Sequence, residues 1–583
     1  MRVRRRLVLA GLLGVGVVLL FGLWAGWQAW SVNRDLSAAV DDAARLQQAV
    51  LDHDDAAQQV ALDDLQEHSA AAADRTDGPT WSVLERVPFV GDDARGVAVA
   101  SGVVSDLATD GVEPLLRVTD DIDTLLPRDA AVSVSAVREL QRPVAHGEAA
   151  FAAAERELAA QDPSSYAGRL RDKYRELTEK VHDAHHVLAA ASTALDVMPT
   201  MLGEDGPRHY LLIFQNNAEI RSTGGLPGAV SLVTAADGKV EMTRQVGADA
   251  FGERPTPVLP LSPAERRIYG EQLGTYFVDA NFTPDFPRTA ELMKARWEEV
   301  FGGRIDGVIS VDPVAMSYLL QATGPVTVGD TELTADNAVD TLLHQVYVDH
   351  PVPAAQDAYF RDVARAVFDQ VSGGAENPID LAEALGRAAD EHRIYVHSFH
   401  ADEQGEITTS QIAGHLTDDS ATGPQVGVFL NDATASKMSY YLRYDAALDA
   451  TYCTAGVQGL AGTMHLSSTA PKDAADLPTY VTGTGEYGTE QGHELLLIRL
   501  YGPVGGAISD VAINSRPVHG FNVVDQDGRP VGTVVVELGP GEKVDVTWRM
   551  KSGPDQTGRS TLSVTPGVEA GRDSSSSAVS ACA

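Results

Sequence analysis

Apolar and polar positions change rhythm along this chain, and each change marks a different architecture. Residues 7–30 form an almost uninterrupted apolar run with Gln28 as its strongly polar member, preceded by Arg2, Arg4, Arg5 and Arg6. At about 1.5 Å per residue, a helix of that length crosses a hydrocarbon core of roughly 30 Å. Residues 31–200 then read as helices. Leu36, Val40, Ala43 and Val50 fall near helical spacing, while Tyr174, Leu177, Val181, Ala184, Leu188, Ala191 and Leu195 alternate gaps of three and four, as in a coiled-coil seam. Turn-formers are sparse apart from Asp77-Gly-Pro79 and the region of Pro88 and Gly91, which predicts an elongated stalk or bundle able to pair with a second copy.

From His209 to about 400 strands alternate with helices. Residues 210–214, 229–234 and 307–311 read as strands, and 289–300, 313–321 and 356–371 as helices, the pattern of a layered α/β domain. Asp237-Gly238 is a hairpin turn. Beyond 440 the apolar residues alternate in short runs, at 494–500 and 534–546, with Leu538-Gly-Pro-Gly541 as a turn, which predicts a small β-sandwich. The expected domains are 1–30 (anchor), 31–200 (helical stalk), 201–440 (α/β) and 441–583 (β-sandwich).

The arginines before Leu7 place the N-terminus in the cytoplasm by the positive-inside rule, with 31–583 outside as a single-pass membrane protein. Trp24, Trp27 and Trp30 suit an interfacial anchor. A cleaved signal peptide is the rival, but the run exceeds a usual h-region and has no clean small-x-small site. A net charge of −37 and pI of about 4.7 argue against nucleic-acid binding and against general affinity for anionic lipid. Cys453 and Cys582 are the two cysteines, and in an oxidising compartment they would tie the C-terminus to the sandwich.

The densest chemistry lies in Tyr210-Leu-Leu-Ile-Phe-Gln-Asn-Asn-Ala-Glu-Ile-Arg-Ser-Thr-Gly-Gly-Leu-Pro-Gly228. An apolar strand leads into amides, an acid, an arginine and glycines that would bring backbone N–H groups close to a ligand. Arg221 offers a fork for phosphate or carboxylate; the alternative is a tight turn in which Glu219 and Arg221 pair with each other. A second cluster, Asp279-Ala-Asn281-Phe-Thr-Pro-Asp285-Phe-Pro-Arg288, combines hard oxygen ligands with an arginine, as a magnesium-assisted pyrophosphate site requires. Helix capping by Asp285 and surface pairing of Arg288 are its plainer readings. His182, His185 and His186 share one helical turn without an accompanying carboxylate pattern and read as a solvated face. Gly483-Thr-Gly-Glu-Tyr-Gly488 matches a dinucleotide fingerprint by letter, but it leads into a strand where the fingerprint needs a helix.

The 210–228 segment resembles the DUF4012 family of actinobacteria, as do Ala290-Glu-Leu-Met…Trp297…Phe301-Gly-Gly-Arg-Ile-Asp-Gly-Val-Ile-Ser-Val-Asp312…Tyr318 to Val326 and Val428-Phe-Leu-Asn-Asp-Ala-Thr-Ala-Ser-Lys-Met-Ser-Tyr-Tyr-Leu442. These segments also distantly resemble LytR-CpsA-Psr domains, which move lipid-linked glycopolymers onto the cell wall. Arg221-Ser222 resembles the start of their Arg-Ser-Asp-Thr motif, with Thr223 in the aspartate place; Asn281 resembles the asparagine of their Asn-Ala segment, and Ile305-Asp306-Gly307 their Ile-Asp-His stretch. Asp249 lies near the place of their Pro-Arg-Asp element without its arginine.

The resemblance implies a LytR-CpsA-Psr-like α/β fold and an envelope phosphotransferase, or a binder of prenyl-pyrophosphate-linked glycans at the cell wall. In that reading Arg221 and Arg288 hold the diphosphate, Asp279 or Asp285 holds Mg2+, and Asn216, Asn217, Glu219 and Asn281 orient the sugar or acceptor. A non-catalytic envelope scaffold that binds glycans or proteins is the alternative. A deep apolar groove beside Arg221 favours the first reading; a shallow polar site with Glu219 and Arg221 paired favours the second.

Overall fold

The computed structural model describes residues 2–582 except 53, 89, 118–130, 351, 374–377, 409, 417–422, 572–573 and 577–579. A helix runs over Arg2–Leu51, but the side chains of its first part, including most of the apolar 7–30 run, lie outside the described residues. Among the described residues no helix is long and apolar enough to cross a membrane. The chain divides into two compact units, one of residues 1–125 and 135–198 and one of 126–134 and 199–583.

The first unit is helical. Its N-terminal helix does not bury Val40 and Ala43 as the sequence suggests; the inward positions are Val32, Asp35, Ala39, Asp42, Leu46 and Ala49, with gaps of three and four. The reason is electrostatic. The helix Asp55–Thr76 brings Arg75 to Asp35 and His68 to Asp42 (2.7 Å), so two aspartates are buried with partners while Val40 faces solvent. Tyr174, Val181 and Leu195 of the expected seam are buried. The histidine face has a partner that sequence spacing did not reveal: Glu155, on the helix Val134–Ala159, meets His182 at 2.6 Å and His185 at 2.5 Å.

The second unit is mixed α/β and then β-rich. Its first sheet holds β1 (Arg208–Arg221), β2 (Gly224–Ala236), β3 (Lys239–Gly247), β4 (Gly307–Val311) and, after the small hairpin β5 (Val326–Val328) and β6 (Thr331–Leu333), β7 (Ile394–Ser398). The order is β3-β2-β1-β4-β7, with β1 antiparallel to β2 and parallel to β4. Asp237 and Gly238 both take positive φ (49° and 82°), as the hairpin turn between β2 and β3 demands. The helices Phe286–Phe301, Pro313–Thr323 and Pro353–Gly373 cover the sheet elements. The first of them starts before the expected Thr289, because Pro287 fits a helix's first turn, where its missing N–H costs nothing.

The sandwich comprises β8 (Gln425–Asp432), β9 (Leu442–Thr454), β10 (Val457–Ser468), β11 (Glu494–Tyr501), β12 (Ala507–Ile513), β13 (Arg516–Pro517), β14 (Val523–Gln526), β15 (Arg529–Leu538), β16 (Lys543–Lys551), β17 (Thr561–Val564) and β18 (Ser574–Ser576). One sheet is ordered β13-β12-β16-β10-β9-β18 and the other β14-β15-β11-β8-β17. The sandwich therefore begins before residue 441, with β8, whose central position between β11 and β17 explains its continuous burial. Ile220, at the end of β1, is buried in the same apolar cluster as Leu430, Leu496 and Trp548, so the α/β sheet is pinned into the sandwich core.

Cys453 and Cys582 form a disulfide with a Cα–Cα distance of 4.9 Å across a sequence separation of 129. Closing so long a loop contributes up to about 5 kcal/mol in the chain-entropy treatment. Cys582→Ser should lower the melting temperature of the protein, and mass spectrometry of the non-reduced chain should recover one linked peptide pair. Two free thiols, or an unchanged melt, would contradict this.

Candidate functional site

The 210–228 segment is a β-hairpin. Strand β1 continues through Asn216 to Arg221, turns at Ser222-Thr223, and returns as β2 with an irregularity between Asn216 and Ile220. The glycines serve this crossing. A Cβ on Gly225 would lie 2.2 Å from the carbonyl carbon of Asn216, so the two strands approach where only glycine fits, and no ligand is needed to explain it.

Arg221 and Glu219 are both buried and pair at 2.8 Å, the alternative left open by the sequence. The pair has a third member. Lys437, from the loop after β8, contacts the other oxygen of Glu219, so one carboxylate bridges two cations. Asp279 stands 3.6 Å from Arg221, whose guanidinium lies 4.8 Å from the Phe282 ring centroid. Although burial disfavours its charge, Glu219 is held below the ordinary glutamate range by Lys437 and Arg221. Burial likewise opposes the charge of Lys437, yet Glu219 raises its pKa. Around this trio, burial pushes Asp279 up to about 6, while burial and the charge of Glu219 take Asp432 to about 6. Glu494, buried on β11 and bonded by Ser439, is pushed up to about 8 by burial and by Asp432.

The other expected residues divide. Asn216 bonds the Tyr347 hydroxyl. Asn217 donates to Asp312 (3.0 Å), itself paired with Arg393 (3.0 Å). Asn281 donates to Gln215 (3.1 Å), Thr223 (3.0 Å) and the Gly225 carbonyl (2.8 Å), which locks the hairpin. Arg288 is committed to Glu265 (2.7 Å), Glu291 (2.9 Å) and the Pro260 carbonyl (2.7 Å). Asp285 occupies the N-cap place without a capping bond; it accepts from the Leu416 N–H at 3.3 Å, and burial takes it to about 6. Asp279 and Asp285 thus have separate partners, and among the described residues no group of three or more His, Cys, Asp or Glu is placed to hold a metal. These residues do not fit a magnesium centre.

What the structure adds is a cavity of about 510 Å3 beside the hairpin. Its walls are mostly apolar, with Phe214, Leu226, Met316, Leu342, Phe360 and Val363 among them. Asn216, Lys437, Tyr347, Tyr480, Asp249 and Asp357 supply the polar edge. The Lys437 ammonium is 5.8 Å from the Tyr347 ring and 5.3 Å from the Tyr480 ring. Burial, and then the neighbouring Asp249 carboxylate, raise the pKa of Asp357. Lys437 stands within the 428–442 segment, yet its role was invisible in sequence: it takes tertiary folding to bring it within reach of Glu219, 218 positions away.

Residues 205–347 match the family described as "Protein of unknown function (DUF4012)". No curated protein matches the chain. Solved structures similar to 36% of this chain include the Lin1025 protein of Listeria innocua (16% identity, 80% of that chain, TM-score 0.21). The transcriptional regulators EF0465 of Enterococcus faecalis (13%, 74% of that chain, 0.24) and yvhJ of Bacillus subtilis (12%, 78% of that chain, 0.20) are others, each likewise over 36% of this chain.

Glu219→Gln would leave Arg221 and Lys437 buried around a neutral amide and should cost roughly 3 to 5 kcal/mol, read as a lower denaturation midpoint. An unchanged midpoint would refute the bridging role. Glu494 gives a pH dependence of determined sign. Its folded pKa of about 8 lies above the ordinary 4.5, so its contribution is complete below 4.5 and is lost as pH rises towards 8. Stability should fall across that window by up to about 1.4 kcal/mol per pH unit. Glu494→Gln should flatten the profile; a variant that keeps the wild-type slope would show another group responsible.

Proposed function

We propose that the second unit binds a prenyl-phosphate-type amphiphile at the outer face of the cytoplasmic membrane, its apolar chain in the cavity and its anionic head against Lys437. The observation that carries this reading is the cavity itself: an apolar chamber of about 510 Å3 with a buried ammonium in its wall. Chambers of that size bury most of a small amphiphile, and a few polar groups then fix its orientation. The head group meets Lys437 rather than Arg221. Glu219 fixes Lys437 from behind and leaves its remaining N–H donors for phosphate.

The arginine-led apolar run and the disulfide support an anchored, extracytoplasmic location. Transfer of a lipid-linked glycan, the activity implied by the LytR-CpsA-Psr resemblance, is the extension of this reading. A non-catalytic envelope scaffold is the second reading, and the Glu219–Arg221 pairing favours it, because Arg221 is already neutralised and buried.

The test uses purified full chain, prenyl phosphate and the uncharged prenol, with binding followed by native mass spectrometry. Ala364→Phe fills the cavity wall and should abolish binding of both ligands. Lys437→Met should weaken prenyl phosphate by about 1.5 to 3 kcal/mol, roughly ten- to a hundredfold, and leave prenol nearly unaffected. Melting curves run alongside separate loss of binding from loss of fold. Wild-type affinity in the well-folded Ala364→Phe protein would retire the proposal.

A further inference from the structure

The turn-formers that interrupt the helical unit, Asp77-Gly-Pro79 and then Pro88 and Gly91, bracket a segment with two unlike faces. The short helix Pro79–Leu84 does not stop cleanly: Arg86 and Val87 donate backbone bonds to the Val83 and Leu84 carbonyls (3.1 and 3.0 Å) and Gly91 to that of Val87 (2.9 Å), so helix-like turns lead into the helix Gly91–Asp106. One face is committed. Trp81 is buried with Val32, Ala72 and Ala94, its indole N–H bonds the Ala94 carbonyl at 2.7 Å, and Leu84 packs against the same cluster. The other face is bare: Val83, Val87 and Val90, spaced by four and three, are 47%, 37% and 45% exposed. The turn holds them there. A Cβ on Gly91 would lie 2.2 Å from the Glu85 carbonyl oxygen, so the chain closes on itself where only glycine fits.

This bare face stands beside the end of the apolar run. The Trp24 indole donates to the Thr80 hydroxyl at 3.2 Å, and Thr80, three residues before Val83 on the same short helix, shares its face. Trp24, Trp27 and Trp30 are themselves 48%, 51% and 58% exposed; the first two rings lie 5.2 Å apart, and the Arg34 guanidinium is 5.6 Å from the third. The remaining large apolar side chains exposed to this degree among the described residues of the helical unit, Val40, Val60 and Val187, stand singly on three different helices. Single exposed residues need no partner, whereas a gathered patch does.

The level of the patch follows from length. A hydrocarbon core takes about 20 residues of helix, so a span that begins at Leu7 leaves it near Gly26, between Trp24 and Trp27. Indoles favour that interface, and the Trp24–Thr80 bond sets the valine face at the same depth. The charges around it are of both signs: Arg86 is exposed on the segment, Asp77 and Asp92 flank it, Asp92 lies 3.4 Å from Arg95, and Glu85 is half-buried. Such groups keep a contact at the headgroup level and give it no preference for anionic lipid.

We infer that Val83, Val87 and Val90 form a second membrane contact, seated in the outer interface of the bilayer beside the tryptophans of the anchor. The inference rests on the reading of residues 7–30 as a membrane span, which sets the level of the patch. An amphipathic face of this kind sinks about 5–10 Å into the boundary between headgroups and acyl chains. Two points of contact stop the helical unit from pivoting on its anchor.

The test uses full chain reconstituted in phosphatidylcholine vesicles. Both native cysteines are in the disulfide, so one added thiol takes an environment-sensitive fluorophore. Labels on Val83→Cys and Val87→Cys should shift their emission to the blue, lose it to a nitroxide on the lipid acyl chain and resist iodide in the water. A label on Val60→Cys, a singly exposed valine of the helix Asp55–Thr76, should be quenched by iodide and ignore the nitroxide. Iodide quenching at both positions equal to that at Val60, in a chain that floats with the vesicles, overturns the inference. Emission that follows protein density in the vesicle but ignores the nitroxide makes a second copy the occupant and overturns it too. A chain that does not float with the vesicles strikes the membrane-span reading itself, so the two failures are distinguishable.

Discussion

The second unit depends on one bridging carboxylate. Glu219 stands on β1, Arg221 two residues further along it, and Lys437 in the loop that leaves β8; the acid joins the end of the α/β sheet to the start of the sandwich. Burying any one of these charges alone would cost several kcal/mol; Glu219 compensates both cations, and the two cations together hold it ionised. Ile220 lies between the two paired residues and is buried among sandwich side chains, which adds apolar packing to the same joint. That is why residues 199–583 behave as one compact unit rather than as an α/β domain with a separate appendage.

The joint also shapes the site. Because Glu219 neutralises Arg221, the guanidinium is a structural cation, and the residue turned towards the cavity is Lys437. Asp279 and Asp432 face the Glu219–Arg221 pair and Glu494 faces Asp432, each with a pKa raised by burial, so the field at the joint depends on pH. Asn217 and Asn281 secure the hairpin from the side: one reaches the Asp312–Arg393 pair and the other crosses to β2. Among the residues expected at the site, Asn216, Asn217, Asn281 and Arg288 all have partners within the chain.

Period and length alone determined much of the protein. Residues 307–311 are a strand at the stated boundaries, the 313–321 and 356–371 helices stand with only their ends extended, and Asp237-Gly238 turns as its sequence requires. These features are local: side-chain alternation, helical spacing and positive φ are set by neighbours a few residues away. Tertiary structure decided whatever depends on a distant partner. Asp35 and Asp42 are buried because a second helix supplies Arg75 and His68, which no periodicity of apolar residues could reveal. In the same way Arg221 resembled a ligand fork until Lys437, more than two hundred positions away, was brought to share its carboxylate; the cavity too is enclosed by elements scattered from Phe214 to Tyr480. Burial of charge is the physical reason, since it is permitted only where folding assembles the compensating groups.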